Sequence, residues 1–144
     1  MEFNTPTQTA LYSIEQAIKE YRKFCQRNIS TVVDDITIDQ CLVLIILDKQ
    51  NSLSQKEIAI QIFKDSASIT RMIELMVNKD YLTREIDKED RRRFNLILTE
   101  KGKTTLQLLN PVIEQNRKTA LYGLSDLEIN QLYSTLQKII SNCQ

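Results

Sequence analysis

The spacing of apolar residues divides this 144-residue chain into helical stretches and one short stretch that is not helical. On both sides of residues 81–98, apolar side chains recur three and four positions apart, which predicts amphipathic helices. Residues 81–86 and 94–98 are instead predicted to form two strands around a charged turn at 87–92, with Phe94, Leu96 and Leu98 on one side. The predicted order is therefore four helices, a hairpin and two more helices.

The predicted helices begin at residues that can cap a first turn. Thr5 precedes Pro6 and is predicted to begin the first helix, which runs to about Ile29. The fifth helix is predicted to bend or break at Pro111 and to end at Gly123. The other predicted starts are capping boxes at Thr37, Ser54 and Ser125, a break and cap at residues 64–66, and a cap at Thr99.

Composition narrows both the fold and the chemistry. The chain has only two glycines, which argues against an all-β fold with many tight turns and against glycine-rich phosphate loops. It has no histidine and no CxxC pair, so neither a structural zinc site nor a histidine-based catalytic dyad is expected. We therefore predict a mainly α protein with a small β-hairpin, which is not an enzyme and uses no metal or cofactor.

Residues 1–144 are predicted to form one domain, because the length suits a single core and no linker or repeat interrupts the pattern. We find no secretory signal and no apolar run near the roughly 20 residues of a membrane span, so a cytoplasmic protein without a membrane partner is expected. Cys25, Cys41 and Cys143 are odd in number and widely spaced, which indicates free thiols in a reducing compartment.

The third and fourth helices are separated by a tight turn and followed directly by the charged hairpin, which is the order of a winged helix-turn-helix. In that arrangement the second helix of the pair enters the major groove of DNA and the hairpin reaches an adjacent minor groove. On a helical wheel the outward face near the start of the fourth helix is small and polar. Its candidate DNA-binding residues are Ser66, Ala67, Ser68, Thr70 and Arg71.

The hairpin turn supplies a second set of candidates, Asp90, Arg91, Arg92 and Arg93. An arginine placed here could enter a narrow minor groove, where negative potential is concentrated. Asp90 could hold a neighbouring guanidinium by a charge-assisted hydrogen bond. Taken singly, the helix face and the charged turn are also what an ordinary solvent-facing surface looks like.

Several segments resemble the MarR-type bacterial transcription regulators, and the resemblance covers nearly the whole chain. Single segments are weak signals, whereas their order and spacing together are strong. The segments are LSQKEIA at 53–59, SITR at 68–71, DKEDRRR at 87–93, LTEKG at 98–102 and GLS at 123–125.

The resemblance implies properties that spacing alone does not. It implies a homodimer whose helical dimerisation parts are about residues 5–33 and 103–144, and a winged-helix DNA-binding part at about 36–102. It implies binding to double-stranded DNA at a pseudo-palindromic operator, repression, and release by a small-molecule effector held among the first, second and fifth helices. By position, Ser68, Thr70 and Arg71 would lie in the major groove. Arg92 would be the wing-tip arginine, with Asp90 as its structural partner.

Two departures from the family's sequence pattern and the count of charged residues weaken these expectations. The family commonly has glycine in the turn before the recognition helix and again before the first wing strand, where this chain has Phe63-Lys64 and Asp80. Asp80 can adopt a left-handed backbone, whereas Phe63 suggests a changed turn or an extra core contact. Residues 64–101 carry nine basic and eight acidic side chains, and the whole chain is neutral. DNA binding would therefore depend on where charges sit and would be strongly salt-dependent.

Two other functions remain open from the sequence. A winged-helix module that binds another protein and not DNA would also suit a neutral surface. A cysteine-based redox-sensing regulator is the second, with Cys25 of the first helix as the candidate, although a cysteine at helical spacing is usually part of the core.

Overall fold

The structure of the protein is a computed structural model that describes residues 5–50 and 53–144; residues 1–4 and 51–52 of the predicted domain lie outside the described residues. A short 3-10 helix, Pro6–Gln8, precedes six α-helices and three strands, which confirms the predicted mainly α fold with a β-hairpin. The elements are α1 (Ala10–Ser30), α2 (Ile38–Lys49), β1 (Leu53–Ser54), α3 (Gln55–Gln61), α4 (Ser66–Asn78), β2 (Leu82–Ile86), β3 (Phe94–Leu98), α5 (Glu100–Ala120) and α6 (Asp126–Cys143).

The sheet has a strand that the sequence did not predict. It is antiparallel with the order β1-β3-β2, and β3 pairs along its whole length with β2, from Leu82 opposite Leu98 to Ile86 opposite Phe94. The added strand, β1, pairs Leu53 with Leu96 and Ser54 with Asn95. Two residues are too few for an alternating pattern, so only pairing with a distant segment makes them a strand.

The start of the first helix was predicted wrongly. Pro6 begins a 3-10 turn, and the backbone returns to an extended conformation at Thr9, which precedes α1. The side chain of Thr9 accepts a hydrogen bond from the backbone N–H of Tyr12, as an N-cap does. Thr5 makes no such bond, because the helix that it precedes is only one turn long.

The other predicted caps are confirmed. Each cap side chain accepts a hydrogen bond from the backbone N–H three residues later, a contact typically worth about 1 kcal/mol. Thr37 forms a full capping box with Gln40, whose side chain bonds back to the backbone of Thr37. The boxes predicted at Ser54 and Ser125 are only half formed: each serine caps its helix, but the glutamate three residues later does not bond back to the serine backbone, and Glu57 pairs with Arg93 instead. The caps are Thr37, Ser54, Asp65, Thr99 and Ser125.

The core forms where α2, α3 and α4 meet the sheet and α5. In α2, Val43 and Leu44 are inaccessible to solvent. Full burial of such side chains contributes about 1.5–3 kcal/mol each. The largest fully buried side chains are Ile36, Leu44, Ile58, Ile69, Ile73, Met76, Leu82, Leu96 and Leu109.

Helix α5 runs unbroken past Pro111, so the predicted break is wrong. Pro111 lies on an exposed face, where water can satisfy the carbonyl that its missing N–H leaves without a partner. The helix ends at Ala120, three residues before the predicted stop, and Gly123 follows with a φ of 85°.

Two helix ends adopt a left-handed backbone without glycine. Phe63, just after α3, has a φ of 60°, and Asp80, just after α4, has a φ of 66°. Both helix ends are closed by the two backbone hydrogen bonds of a Schellman motif. Asp80 therefore behaves as predicted. Phe63 makes no extra core contact, since 94% of it is exposed, so of its two predicted alternatives the core contact is wrong.

Gly102 allows the first turn of α5 to pack closely against the backbone of Tyr81, which follows α4. A Cβ on Gly102 would overlap the carbonyl oxygen of Tyr81 and lie 3.3 Å from Leu98 Cδ2. We expect Gly102→Ala to lower the free energy of unfolding by about 1–3 kcal/mol, because the backbone must shift to make room. Chemical denaturation measures the change. The control is Thr104→Ala, at an exposed position in the same helix turn, which should leave the free energy of unfolding nearly unchanged. Equal stabilities for both variants would contradict the close approach of Gly102 to Tyr81.

Candidate nucleic-acid interface

The first turn of α4 presents the predicted recognition residues outward. Ile69, Ile73 and Met76 are buried beneath the helix. On the opposite face Ser66, Ala67, Thr70 and Arg71 are exposed, and Ser68 is half-buried. The small side chains at the start leave this end of the helix accessible to a large partner, while the Asp65 carboxylate caps its first turn. The five predicted residues therefore lie together at one end of one exposed helix face.

Hydrogen bonds within the protein already occupy some of these side chains. The backbone N–H of Ser68 donates to the Asp65 carboxylate at 2.7 Å, which lowers the pKa of Asp65. The hydroxyl of Thr70 donates to the carbonyl of Ser66 at 2.8 Å and accepts from the Gln55 amide at 2.9 Å. Thr70 thus has a methyl group and one lone pair left for a partner.

Arg71 is the long cationic side chain on this face. Within residues 5–50 and 53–144 its guanidinium forms no hydrogen bond or ion pair. A guanidinium has five donors that fit a phosphate or a guanine edge. Among the predicted helix residues, Arg71 therefore has the greatest capacity to bind DNA.

The turn of the hairpin is organised around Asp87. One carboxylate oxygen of Asp87 accepts the backbone N–H groups of Glu89 at 2.8 Å and Asp90 at 3.1 Å, and the other accepts the Asn95 amide at 2.9 Å. The Asn95 bond, followed by the two backbone bonds, holds the pKa of Asp87 below its ordinary value. The wing therefore has a defined shape although its sequence is highly charged.

Arg91 and Arg92 stand at the tip of this wing. Both are exposed, and in the described part of the chain neither guanidinium has a hydrogen-bonding or ionic partner. Asp90 accepts a hydrogen bond from the backbone N–H of Arg92 at 3.0 Å. Instead of the expected bond from the Arg92 guanidinium, Asp90 thus accepts the backbone N–H of Arg92, which shapes the tip and leaves the Arg92 side chain without a partner among the described residues.

Arg93 points away from the tip. Its guanidinium forms an ion pair with Glu57 of α3, donates to Asn95 Oδ1 at 3.2 Å and lies 3.8 Å from the Asp87 carboxylate. The four residues predicted for the wing thus separate into two outward arginines, one turn-forming aspartate and one inward arginine. Periodicity places Arg93 just before the second strand but cannot show that Glu57 lies opposite it.

An ionic contact at the partly buried Asp39, which the sequence did not predict, links α1, α2 and the turn before α4. The Asp39 carboxylate on α2 lies 2.7 Å from Arg22 of α1 and 2.9 Å from Lys64 in the turn before α4. Burial raises the pKa of Asp39, but the bonds from Lys64 and Arg22 outweigh burial, so its pKa lies below the ordinary value. Asp39 is therefore charged at neutral pH and ties α1 and α2 to the turn before α4.

A cavity of about 180 Å³ lies among α1, α2 and α5. Its wall is mostly apolar, with the Tyr21 hydroxyl and the Arg117 guanidinium as the polar groups most able to orient a ligand. It adjoins an open groove of about 600 Å³ that extends past Asp39 to Lys64. The cavity is lined by Tyr21, Cys25, Ile29, Ile38, Cys41, Leu42, Ile45, Ile113, Asn116 and Arg117.

The three cysteines are free and occupy two kinds of environment. Cys25 and Cys41 are buried and line this cavity, whereas Cys143 is exposed at the end of α6. Burial, reinforced by the nearby Cys25 thiol, raises the pKa of Cys41 to about 11. A thiol with that pKa is protonated at neutral pH and is a poor nucleophile.

Among the described residues, no helix has both the length and the apolar character that a bilayer crossing requires. No group of three or more His, Cys, Asp or Glu side chains in the described part of the chain could hold a metal ion.

Comparison with known proteins identifies similar sequences and folds. The sequence model of the MarR family matches residues 36–94. The HTH-type transcriptional regulator SarZ of Staphylococcus aureus (strain USA300) is 25% identical over 130 residues, covering 90% of this chain and 82% of SarZ. The S. aureus MepR–DNA complex has a similar fold, with a TM-score of 0.86, 22% identity, and coverage of 97% of this chain and 100% of MepR.

A second solved structure is Bordetella bronchiseptica BpsR, whose DNA binding is regulated by 6-hydroxynicotinic acid. Its TM-score is 0.84 at 22% identity, and the match covers 96% of this chain and 97% of BpsR. At this level of identity, the two structures establish a shared fold.

The burial of Cys25 leads to a labelling prediction. In native protein we expect a maleimide to modify Cys143 rapidly and Cys25 and Cys41 only after unfolding, because the last two are buried. Mass spectrometry of timed samples measures this, and Cys143→Ser, as control, should leave no rapidly modified thiol. Modification of native Cys25 at the rate of Cys143 would contradict its burial and favour the redox-sensing alternative.

Proposed function

The chain is a MarR-family transcription regulator with a winged helix-turn-helix fold, and we propose that it binds a pseudo-palindromic DNA operator as a homodimer and represses transcription there. Members of this family are DNA-binding proteins without enzymatic activity, which agrees with the prediction that the chain is not an enzyme. A dimer bound at an operator would repress by occupying DNA that the transcription machinery needs.

The observation that carries the DNA-binding proposal is a pair of cationic sites on one winged helix that have no partner among the described residues. Arg71 extends from the exposed face of α4, and Arg91 and Arg92 extend from a wing tip whose backbone is held by Asp87 and Asp90. In our proposal α4 enters the major groove and the tip arginines enter the adjacent minor groove. The MepR–DNA complex shows that a protein of this fold binds DNA.

The neutral charge of the chain shapes the expected affinity. Lys plus Arg and Asp plus Glu both number 19, so the protein has no general attraction to a polyanion. Binding would then depend on a few placed arginines in each subunit. Affinity should accordingly fall steeply with salt, with a slope of log K against log salt of about −0.9 for each phosphate neutralised.

The surface of α6 supports a homodimer. All 18 residues of α6 are described and none is buried in the single chain, although its sequence is amphipathic. Leu127, Leu132 and Ile140 are exposed, as are Leu11 and Ile18 of α1. Apolar surface of this extent on two terminal helices is typical of an interface. A second copy would cover it and would place two α4 helices about one DNA turn, roughly 34 Å, apart.

We place a small-molecule effector in the cavity among α1, α2 and α5. A ligand there would contact Tyr21 and Arg117, and the adjoining groove leads to the Asp39 link with Lys64. Movement of α2 could then alter the turn before α4 and so change DNA affinity. BpsR is a protein of this fold whose DNA binding is regulated by a small molecule.

The wing-tip assignment leads to the first functional test. We expect Arg92→Ala to weaken binding to a duplex selected by the wild-type protein from a random library about tenfold or more, because a desolvated arginine contact with DNA is lost. Fluorescence anisotropy measures the affinity. Arg27→Ala on α1, outside the winged helix, is the matched control and should bind like wild type. Unchanged affinity for Arg92→Ala would contradict the wing assignment, and selection of no duplex by the wild type would favour a protein-interaction module.

The exposed face of α6 leads to a test of assembly. We expect Leu132→Asp to shift the protein from dimer to monomer, because a charge would replace an apolar contact between the two copies. Analytical ultracentrifugation across a concentration series measures the shift. Ser134→Asp, on the opposite face of the same helix, should leave the dimer intact. A wild-type protein that sediments as a monomer at all concentrations would contradict the proposed dimer.

A further inference from the structure

The first turn of α3 contacts both DNA-reading elements. Gln55 bonds to Thr70 on the exposed face of α4, and Glu57 pairs with Arg93 at the base of the wing. We propose that these two contacts form a clamp that sets the wing relative to α4, so that Arg93 is a positioning residue and only Arg91 and Arg92 of the arginine run reach DNA. The role of the clamp rests on the proposed DNA-binding function.

Two nitrogens of the Arg93 guanidinium are held by groups within the protein. The terminal nitrogen that faces α3 donates to Glu57, while Nε donates to Asn95 Oδ1 at 3.2 Å and lies 3.8 Å from Asp87. Asn95, which is buried, donates in turn to Asp87 at 2.9 Å. A guanidinium has its donors in one rigid plane, so Arg93 cannot turn to a phosphate without breaking this set.

The sheet explains why Glu57 is available to Arg93. Ser54 lies opposite Asn95 in the β1–β3 pair, which brings the start of α3 beside the start of β3. Glu57 occupies the third position of α3, where a capping box would direct its carboxylate back to the backbone of Ser54. It pairs with Arg93 instead, and Ser54 supplies the cap alone. The side chain that could have completed a local motif thus makes a long-range contact.

The clamp matters for recognition because the wing and α4 enter different grooves. Their relative position decides whether the tip arginines and the α4 residues can contact one duplex at the same time. Both Arg93 and Glu57 are more than a third exposed, so loss of the pair should release the wing only partly. We expect wing opening to become about two- to fivefold more frequent and affinity for the selected duplex to fall by a similar factor.

The first experiment measures the clamp without DNA. Hydrogen exchange of the wing amides, residues 87–93, is compared among wild type, Glu57→Gln, Arg93→Gln and the double variant of the full chain. The clamp requires faster exchange in both single variants and no further increase in the double variant, because the second change removes a contact already lost. If the wing amides of Glu57→Gln exchange at the wild-type rate, the proposed clamp is wrong.

The second experiment separates positioning from DNA contact. Affinity for the duplex selected by the wild type is measured at several salt concentrations for Arg93→Gln and for Arg92→Gln, which removes the same charge one residue away. A positioning role predicts the wild-type salt slope for Arg93→Gln, whereas Arg92→Gln should reduce the slope by about one per subunit. A reduction of the slope in Arg93→Gln equal to that in Arg92→Gln would overturn the proposal.

The two experiments distinguish the clamp from the function on which it rests. If the wild type selects no duplex, the proposed function fails, and the exchange data still decide whether Glu57 and Arg93 restrain the wing. If the wild type binds DNA while the exchange rates of all four proteins agree, the clamp fails and the DNA-binding function stands.

Discussion

Burial of one face of α4 determines which residues the protein can offer to DNA. Ile69, Ile73 and Met76 are almost inaccessible and pack into the core formed with the sheet. Rotation of the helix would return them to water at a cost of about 1.5–3 kcal/mol for each side chain. Residues a half-turn away, Ala67 and Arg71, are therefore held outward. The exposed face of α4 is thus a consequence of how the core is packed.

Local hydrogen bonds give the wing a shape that its charges alone would oppose. Asp87 and Asp90 would repel a polyanion if their carboxylates faced it freely, but both accept backbone N–H groups within the turn. The tip arginines then extend from an ordered support. A neutral protein can in this way present positive charge at a chosen point, which suits recognition of a specific site better than general attraction to DNA.

The ionic contact at Asp39 connects α1 and α2 with the turn before α4. One carboxylate bonds Arg22 of α1 and Lys64 of the turn before α4, and the cavity among α1, α2 and α5 lies on the same side of α2. The turn itself is held in a left-handed conformation at Phe63, an uncommon state for a bulky residue. A small displacement of α2 would therefore act on a turn that is held in an uncommon backbone conformation.

By itself the sequence determined the local features: the helix periods, the caps at Thr37, Asp65, Thr99 and Ser125, the hairpin, and the outward face of α4. These follow from neighbours three or four positions apart, whose interactions are the same in any fold. Only the tertiary structure decided the strand at Leu53, the direction of Glu57 and the inward position of Arg93. Each depends on a partner more than 30 residues away, as Arg93 does on Glu57, and no local pattern encodes which distant group the sheet will bring within bonding distance.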